Sequence, residues 1–457
     1  MPSSTDAAAD TEPTPRLVLP CEDREEWSRV ETILRRPLAS LADLDAVLTE
    51  FAAPSTQQTC TFFSTVPGSA DAGAGKLDFD AFWAHGVPLM LELALEMPTL
   101  FAGVELPLLL RGANRRVALS RRQCACLLAH SFFGSITEKS WAVEKKKWAF
   151  RVAQLFFLEA LPSALCVLNY FKVLGQRGIP EGTVTIERRG FPRRAPPWRW
   201  EGNGAPLCPI EFHDTGTIED SPAEAHADFA NRFVGGGCLE NDFMMEEILF
   251  VVKPELVVAM ALCSYMHDEE AIRVAGAMQY SGYRGYASTF EFDGDYDERR
   301  AGPPAVVCAM DALQGCARIQ FGEGLVSRDL NKARVAFDGA RTVATGNWGC
   351  GAFGNDHVLK MLQQWLAASD AGAARLHYYT FGDRRSAPIV PLARALRGRT
   401  VGELYSAVRD AARKCAGAPG ASAKFRLLME EHAAAIQPRV DPALAPRGRG
   451  AGVPLEL

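Results

Sequence analysis

The sequence of 457 residues lacks several patterns that would assign it to a common class of protein. It contains no G-x-x-x-x-G-K-[ST] loop, which argues against a P-loop nucleotidase. None of its twelve cysteines forms a C-x-x-C pair, so we expect buried free thiols in a reducing compartment. The net charge is −6, without the positive surplus that is typical of general nucleic-acid binders.

Long uncharged apolar runs are also missing. The two most apolar stretches, residues 87–110 and 148–171, contain acidic or basic side chains. A charge in the middle of a membrane span costs about 2.5–3.5 kcal/mol even on the most lenient scale, so both stretches are predicted to be core helices. Residues 1–15 are polar and acidic and have no apolar segment, so we expect disorder there and no secretory signal.

The chain divides by composition into four further parts. Residues 16–180 have helical spacing, and Ser120 is a suitable N-cap for a helix over Arg121–Phe133. Residues 181–200 are rich in Arg, Pro and Trp, and we interpret them as a solvated connector rather than a contact to polymer phosphates. Residues 201–416 read as an α/β domain, and residues 417–457 as a mostly flexible extension with one helix near 424–435. Strands are predicted at 183–186, 247–252, 305–310 and 375–380.

The most informative segment is Gly235-Gly236-Gly237, followed seven residues later by Met245-Glu246-Glu247. Glycines let the backbone approach a ligand closely and present N–H groups, so we expect the triplet to cradle an anion. Adjacent glutamates point in different directions, so they cannot grip one bond from opposite faces. The paired-carboxylate scheme of ordinary glycosidases therefore fits poorly, and a single acid that later acts as the base fits better.

A second glycine-rich segment covers residues 345–356 and leads into a helix with an apolar face. A loop of this kind at a helix N-terminus is a site for anions, because backbone N–H groups and the helix dipole both favour negative charge. A third segment, residues 280–287, alternates tyrosine and glycine and ends at Tyr286.

Residues 228–247, 280–287 and 345–356 together resemble the poly(ADP-ribose) glycohydrolase family, and the resemblance extends over most of residues 17–415. It implies an α/β macrodomain-like fold, a mixed β-sheet flanked by helices, preceded by an all-helical accessory domain. It also implies hydrolysis of ribose–ribose O-glycosidic bonds of poly(ADP-ribose) to release ADP-ribose. Two positions depart from the family pattern, which usually has Gln where this chain has Met245 and commonly has a further Gly where it has Asn355.

By the same resemblance, Glu247 is the general acid and then the base, and Glu246 hydrogen-bonds a ribose hydroxyl. Asp228 and Asn231 hold a ribose and orient the catalytic glutamate. Phe381 stacks on adenine, Glu219 accepts from the adenine amino group, and Tyr286 covers the ligand; core packing is the alternative for Phe381. The remaining expected binding positions are Gly235, Gly236, Gly237, Met245, Asn347, Gly349, Cys350, Gly351, Ala352 and Phe353.

The resemblance implies no cofactor and no metal. The run His267-Asp268-Glu269-Glu270 looks like a ligand cluster, but we expect it to be a solvated helix face. The expected partners are poly(ADP-ribose) and ADP-ribosylated proteins, without direct DNA or membrane binding. We expect a monomer in the nucleus, the cytoplasm or both.

A second interpretation is a macrodomain that binds ADP-ribose or its polymer as a reader after losing catalysis. Met245 and the acidic residues Glu240 and Asp242 favour it, because extra acids facing the ligand would repel phosphates. The retention of both Glu246 and Glu247 favours activity instead.

Overall fold

The structure is a computed structural model that describes residues 15–52, 59–66, 76–136, 150–157, 161–191, 198–240, 242–297, 303–314 and 319–435. Residues 1–14 of the segment 1–15 that we predicted to be disordered lie outside these ranges, as do residues 436–457 of the extension predicted for 417–457. Over the described ranges, every helix is too short or too polar to cross a membrane.

The strands and helices alternate in the second half of the chain, as predicted for an α/β protein. The strands are β1 (Arg115–Ser120), β2 (Thr183–Gly190), β3 (Ile210–His213), β4 (Ala225–Asp228), β5 (Glu270–Ala275), β6 (Ser281–Arg284), β7 (Glu291–Asp295), β8 (Val306–Ala309), β9 (Thr342–Gly346) and β10 (Arg375–Tyr379). The helices are α1 (Arg24–Leu34), α2 (Ala42–Phe51), α3 (Phe62–Thr65), α4 (Phe79–Ala81), α5 (Val87–Leu95), α6 (Met97–Leu100), α7 (Arg121–Phe133), α8 (Gln154–Phe157), α9 (Leu161–Arg177), α10 (Met245–Val252), α11 (Val258–Leu262), α12 (Glu323–Phe337), α13 (His357–Asp370), α14 (Ile389–Ala395), α15 (Val401–Cys415) and α16 (Ala421–Ala434).

The chain forms two compact units, which we describe separately. The first comprises Met1–Ala195 and Pro222–Ala312, and the second comprises Pro196–Ser221 and Leu313–Leu457. In the first unit, β1, β2, β5 and β8 pair in that order in antiparallel fashion, and β4 pairs with β8 in parallel. Strands β6 and β7 form a separate antiparallel hairpin.

The helices and the sheet of the first unit share one hydrophobic core. Helix α9 is buried all round over residues 163–174, and it packs against both α5 and α10. The side-chain amide of Asn169 on this helix donates to the carbonyl of Tyr280, 3.0 Å away. A helix that is apolar on every side belongs in the middle of a core rather than at a surface. The compact unit therefore does not follow the domain boundary predicted near residue 180.

Strand β2 covers Thr183–Gly190, so the strand predicted at 183–186 is confirmed, while the connector predicted for residues 181–200 does not hold over these residues. Arg188 in this strand is only 1% exposed. Its guanidinium pairs with Glu270 and donates to the carbonyls of Leu109 and Ser264, each 2.9 Å away. These buried acceptors explain why a basic residue occupies a central strand. Trp200 is also buried, at 4% exposed.

Among the other local predictions, one is confirmed and two are wrong. Helix α7 begins and ends as predicted, and Ser120 forms a capping box with Gln123 at its start. The strand predicted for residues 247–252 is instead helix α10. A short apolar run is ambiguous between the two structures, and here tertiary contacts at its first turn decide for the helix. The predicted solvated helix at His267 is also wrong, since β5 begins at Glu270, whose side chain is buried.

The second unit contains three parallel strands in the order β9-β10-β3, with β10 in the middle. Helix α13 is buried over nearly all its length and packs against α12 and α15. The C-terminal helix predicted near 424–435 is confirmed as α16, which buries Phe425 and Met429. Because parallel strands point the same way, the segments that follow all three emerge at one edge.

We predict that Arg188→Ala lowers the free energy of unfolding by about 3–5 kcal/mol, because it leaves Glu270 and several carbonyls buried without their donor. Urea denaturation followed by circular dichroism would measure this. Arg116→Ala on the neighbouring strand β1 is a matched control, since Arg116 is exposed and its loss should cost less than about 0.5 kcal/mol. Equal midpoints for the two variants would contradict the assigned role of Arg188.

Candidate active site

The two glutamates of the sequence motif lie in the first turn of α10, in the first unit. Glu246 is 2% exposed and Glu247 is 7% exposed. A carboxyl group this deeply buried requires hydrogen-bond donors, and both groups receive them from the loop of residues 231–237. The loop and the helix N-terminus thus form one structural element.

Both oxygens of Glu246 accept backbone hydrogen bonds. The N–H of Asn231 donates to Oε2 at 2.7 Å, and the N–H of Gly235 donates to Oε1 at 2.6 Å. Burial raises the pKa of Glu246 well above its ordinary value of 4.5, and the charges of Asp228 and Glu247 raise it further. The two amide hydrogen bonds act in the opposite direction. The resemblance assigned Glu246 to a ribose hydroxyl, whereas here its oxygens are held by the loop.

Glu247 is engaged at only one oxygen. The N–H of Gly237 donates to Oε1 at 3.1 Å, while Oε2 has no hydrogen-bond partner among the described residues. Burial is the main cause that raises the pKa of Glu247, the charge of Asp242 adds to it, and backbone hydrogen bonds oppose it. The protonated form of Glu247 is therefore more favoured than that of an exposed glutamate, and its Oε2 has no partner among the described residues.

In this structure the N–H groups of the glycine triplet donate hydrogen bonds within the protein, and two of them donate to these carboxyl groups. Gly236 has a φ of +50°, and a Cβ there would lie 2.0 Å from Oε1 of Glu247. The N–H groups of Gly235 and Gly237 donate to the two glutamates, and that of Gly236 donates to the carbonyl of Phe233 at 3.1 Å. All three N–H groups thus donate within the protein, and the anion cradle that we expected at residues 235–237 stays a prediction that these bonds do not favour.

The other predicted residues of this unit surround the same helix start. Asp228, fully buried, ends β4 and acts on Glu246 through its charge. Met245 is half-buried in the first turn of α10. Tyr286 is 50% exposed, and the next residue along donates its N–H to the carbonyl of Phe243 at 2.9 Å. This bond ties the segment after β6 to the entrance of α10, so the structure brings these predicted residues together.

In the second unit, the predicted binding residues follow the three parallel strands. Asn347 comes directly after β9, Phe381 comes two residues after β10, and Glu219 lies six residues beyond β3. Ligands of α/β proteins bind outside the carboxyl ends of such strands. The strand order therefore brings three distant parts of the sequence to one edge of this unit.

The loop between β9 and α13 presents backbone donors outward. Within the part of the chain that the structure describes, four of the five N–H groups of residues 349–353 donate no hydrogen bond to the protein. These N–H groups belong to Gly349, Gly351, Ala352 and Phe353. Asp356 caps α13 by accepting from the N–H of Leu359 at 2.8 Å, so the loop leads straight into a helix N-terminus. The anion site predicted for this loop remains a prediction, and the free donors favour it.

The side chains of two residues of this loop are hydrogen-bonded within the protein or buried. Asn347 donates to the carbonyl of Thr380 at 3.0 Å and accepts from the hydroxyl of Ser386 at 2.9 Å. Cys350 is buried, its N–H donates to the carbonyl of Asn347, and burial raises its thiol pKa to about 12. Direct ligand contact by these two side chains is therefore not what the structure favours.

Asn355 has a role that the sequence did not reveal. Its side-chain amide donates to the carbonyl of Leu313 at 2.7 Å and to that of Gly349 at 3.0 Å, and the residue is 4% exposed. The amide thus closes the loop on itself and anchors it to the preceding chain. The glycine that relatives commonly have at this position could supply neither bond, and that departure was the available signal.

Phe381 is an exposed aromatic residue in a strained conformation. Its φ is +53°, which is rare for a residue other than glycine, and its side chain is 57% exposed. Core packing, the alternative considered for this residue, is therefore excluded. Glu219 is half-buried within the segment that follows β3.

Comparison with known proteins agrees with this architecture. A family model described as the helical domain of poly(ADP-ribose) glycohydrolase matches residues 76–188. A second model, described as the macro domain fold of the same enzyme, matches residues 198–387. The chain thus combines a helical region with a macrodomain-fold region, which confirms the predicted fold class.

Individual relatives extend the match. The chain is 30% identical over 403 residues to probable poly(ADP-ribose) glycohydrolase 2 of Arabidopsis thaliana, covering 71% of this chain and 77% of the relative. It is 28% identical to poly(ADP-ribose) glycohydrolase 1 of the same plant, covering 70% and 77% respectively. A solved glycohydrolase structure from Thermomonospora curvata covers 42% of this chain and 78% of its own, with 17% identity and a TM-score of 0.30. On the sequence matches, the chain belongs to the poly(ADP-ribose) glycohydrolase family.

We predict that Glu247→Gln raises the free energy of unfolding at neutral pH. Glutamine keeps an acceptor for the N–H of Gly237 and removes a buried acidic group. The pKa of Glu247 is raised in the folded state, so the unfolded chain releases this proton first as pH rises. The wild type therefore loses stability as the pH rises above about 4.5, the ordinary pKa of a glutamate side chain. The stability advantage of the variant should disappear below that pH.

Urea denaturation at a series of pH values would measure the difference. Glu181→Gln is the matched control, because Glu181 is exposed and its variant should follow the wild type at every pH. If the difference in the free energy of unfolding between Glu247→Gln and the wild type is the same at pH 5 and pH 8, this carboxyl has no raised pKa.

Proposed function

We propose that this chain hydrolyses the ribose–ribose O-glycosidic bonds of poly(ADP-ribose), with Glu247 as the general acid and then the base. The single observation that carries the proposal is the state of Glu247. It is buried, its pKa is raised, and its Oε2 has no partner among the described residues. A general acid needs a proton near neutral pH and an atom from which to give it.

The chemistry requires two proton transfers at Glu247, one to the leaving oxygen and one from the attacking water. Glu247 gives its proton to the ribose oxygen that leaves, and the bond from that oxygen to the anomeric carbon breaks. The remaining sugar has the character of an oxocarbenium ion, and negative charge on Asp228 and on the glutamates stabilises it. Water then attacks the anomeric carbon, and the Glu247 carboxylate takes the proton that the water loses.

The arrangement of the glutamates supports one acid rather than two opposed carboxylates. Both carboxyl groups accept hydrogen bonds from the same short loop, residues 231–237, and they are adjacent on one helical turn. The usual glycosidase pair flanks the scissile bond from two sides. We assign Glu246 to positioning, because its two oxygens hold the loop that also holds Glu247.

We assign substrate recognition to the second unit. The free N–H groups of Gly349, Gly351, Ala352 and Phe353 are suited to the diphosphate, and the exposed ring of Phe381 is suited to stacking on adenine. We retain Glu219 as the acceptor for the adenine amino group and Tyr286 of the first unit as a ligand contact. We further propose that the enzyme acts as a monomer on the polymer and on ADP-ribosylated proteins, in the nucleus, the cytoplasm or both, without direct DNA contact. The net charge of −6 supports the last point.

We expect Glu247→Gln to abolish release of ADP-ribose from poly(ADP-ribose), because the amide has no proton to donate to the leaving oxygen. General acid–base catalysis contributes about 10²–10⁴-fold to a rate, so the loss should be at least of that order. The assay is chromatography of the products, with Glu181→Gln as the control of unchanged turnover. Tight polymer binding without release by the wild type would instead identify a reader.

We expect Phe381→Ala to weaken ADP-ribose binding by about 1–3 kcal/mol, the usual worth of stacking between an aromatic ring and a base. Isothermal titration calorimetry would measure it. Because the ring is exposed, its removal should leave the fold unchanged. Leu427→Ala, another exposed apolar residue of the second unit, should bind as the wild type does. Unchanged affinity in the Phe381 variant would remove this ring from the site.

A further inference from the structure

A cluster of metal-binding side chains lies on strands β3 and β10 of the second unit. In the parallel pairing of these strands, Glu211 is opposite His377 and His213 is opposite Tyr379. Residues two apart on a strand face the same side, so all four side chains share one face of the sheet. The sequence separates His213 from His377 by 164 positions, and only the strand pairing brings them together.

The ligand atoms lie close enough to share one ion. Nε2 of His213 is 3.1 Å from Nδ1 of His377. Oε1 of Glu211 is 3.9 Å from Nε2 of His213, and Oε2 of Glu211 is 3.8 Å from Nδ1 of His377. His213 and His377 are half-buried and the Glu211 side chain is 46% exposed, so an ion could reach all three from solvent.

We propose that Glu211, His213 and His377 bind a divalent transition-metal ion, zinc in preference, as a site separate from the glycosidic chemistry. In tetrahedral zinc sites the bonds are about 2.0–2.1 Å, which places ligand atoms about 3.3–3.4 Å apart. The observed separations bracket this value. Two imidazoles and one carboxylate leave the fourth position to water, and this ligand set suits zinc better than calcium or magnesium.

The rings are held in place before any ion binds. His213 stacks on Tyr379 with ring centroids 4.6 Å apart and on His377 with centroids 5.4 Å apart. The backbone of β3 is fixed by its pairing with β10. Ligands that are already oriented lose little conformational freedom on binding, which favours affinity.

Arg375 is the one competing charge that the structure shows at Glu211. Its guanidinium lies 2.9 Å from Oε2 of this carboxylate. A carboxylate has two oxygens, so Oε1 can bind the metal while Oε2 keeps Arg375. The arginine then orients the carboxylate, although its positive charge also opposes the ion.

The position suggests a structural role for the ion. Strand β3 has four residues and pairs only with β10 in this unit. The chain continues from β3 to the segment that contains Glu219. An ion bound by ligands on both strands would fasten β3 to β10 and so hold this segment in place.

The test uses the full chain and measures binding of Co²⁺ by absorption and of Zn²⁺ by competition with a chromophoric chelator. We expect one ion per chain and a cobalt spectrum without thiolate charge-transfer bands. His213→Gln and His377→Gln should each lower the affinity more than about tenfold, because loss of even an outer-shell partner costs 10–100-fold. Arg375→Gln should bind at least as tightly as the wild type, since it removes a like charge.

His85→Gln, at an exposed histidine of the first unit, is the matched control and should bind as the wild type does. Zinc should also raise the melting temperature of the wild type and not that of the His213→Gln, His377→Gln double variant, which separates binding from misfolding. Equal affinity in the double variant, a thiolate spectrum, or no binding by the wild type would overturn the proposal. The remaining function of the 3.1 Å contact would then be a hydrogen bond between the two imidazoles.

Discussion

The site of the first unit depends on the bonding of two buried carboxyl groups by the amides of one short loop. Without the donors from Asn231 and Gly235, Glu246 would be a buried acid with no partner, which is costly in an apolar interior. Without Glu246, the loop would have no acceptor for those amides. Each therefore requires the other, and Glu247 is placed by the same arrangement. The absence of a side chain at Gly236 is part of it, because the space is occupied by a Glu247 oxygen.

The residues that the sequence singled out lie together here, and the glycines donate to acceptors other than the expected anion. Three glycines before two glutamates indicated a close backbone approach, and the structure has one. What approaches the backbone, however, is the pair of carboxyl groups of α10. Glycine spacing reveals that donors are uncovered, but it does not reveal which acceptor is nearest. That depends on the helical turn at residues 245–248, and the apolar run there was read as a strand.

The second unit was predictable where the signal is local and unpredictable where it depends on strand pairing. The loop of residues 345–356 and its helix were clear, because the glycines and the apolar face of the helix all lie within some twenty residues. The clamp by Asn355 and the cluster of Glu211 with His213 and His377 were not. Each joins positions far apart in the chain, and a single sequence gives no register for parallel strands.

The shared core of the first unit has a practical consequence for expressing parts of this protein. Helix α9 is enclosed on all sides and lies against α10, the helix that bears Glu247. A shortened chain that begins after residue 180 would not merely lose an accessory module. It would expose the inner surface of α10 to water, and the turn that carries the acid would be among the first elements to loosen. The helical region thus supports the helix that bears Glu247.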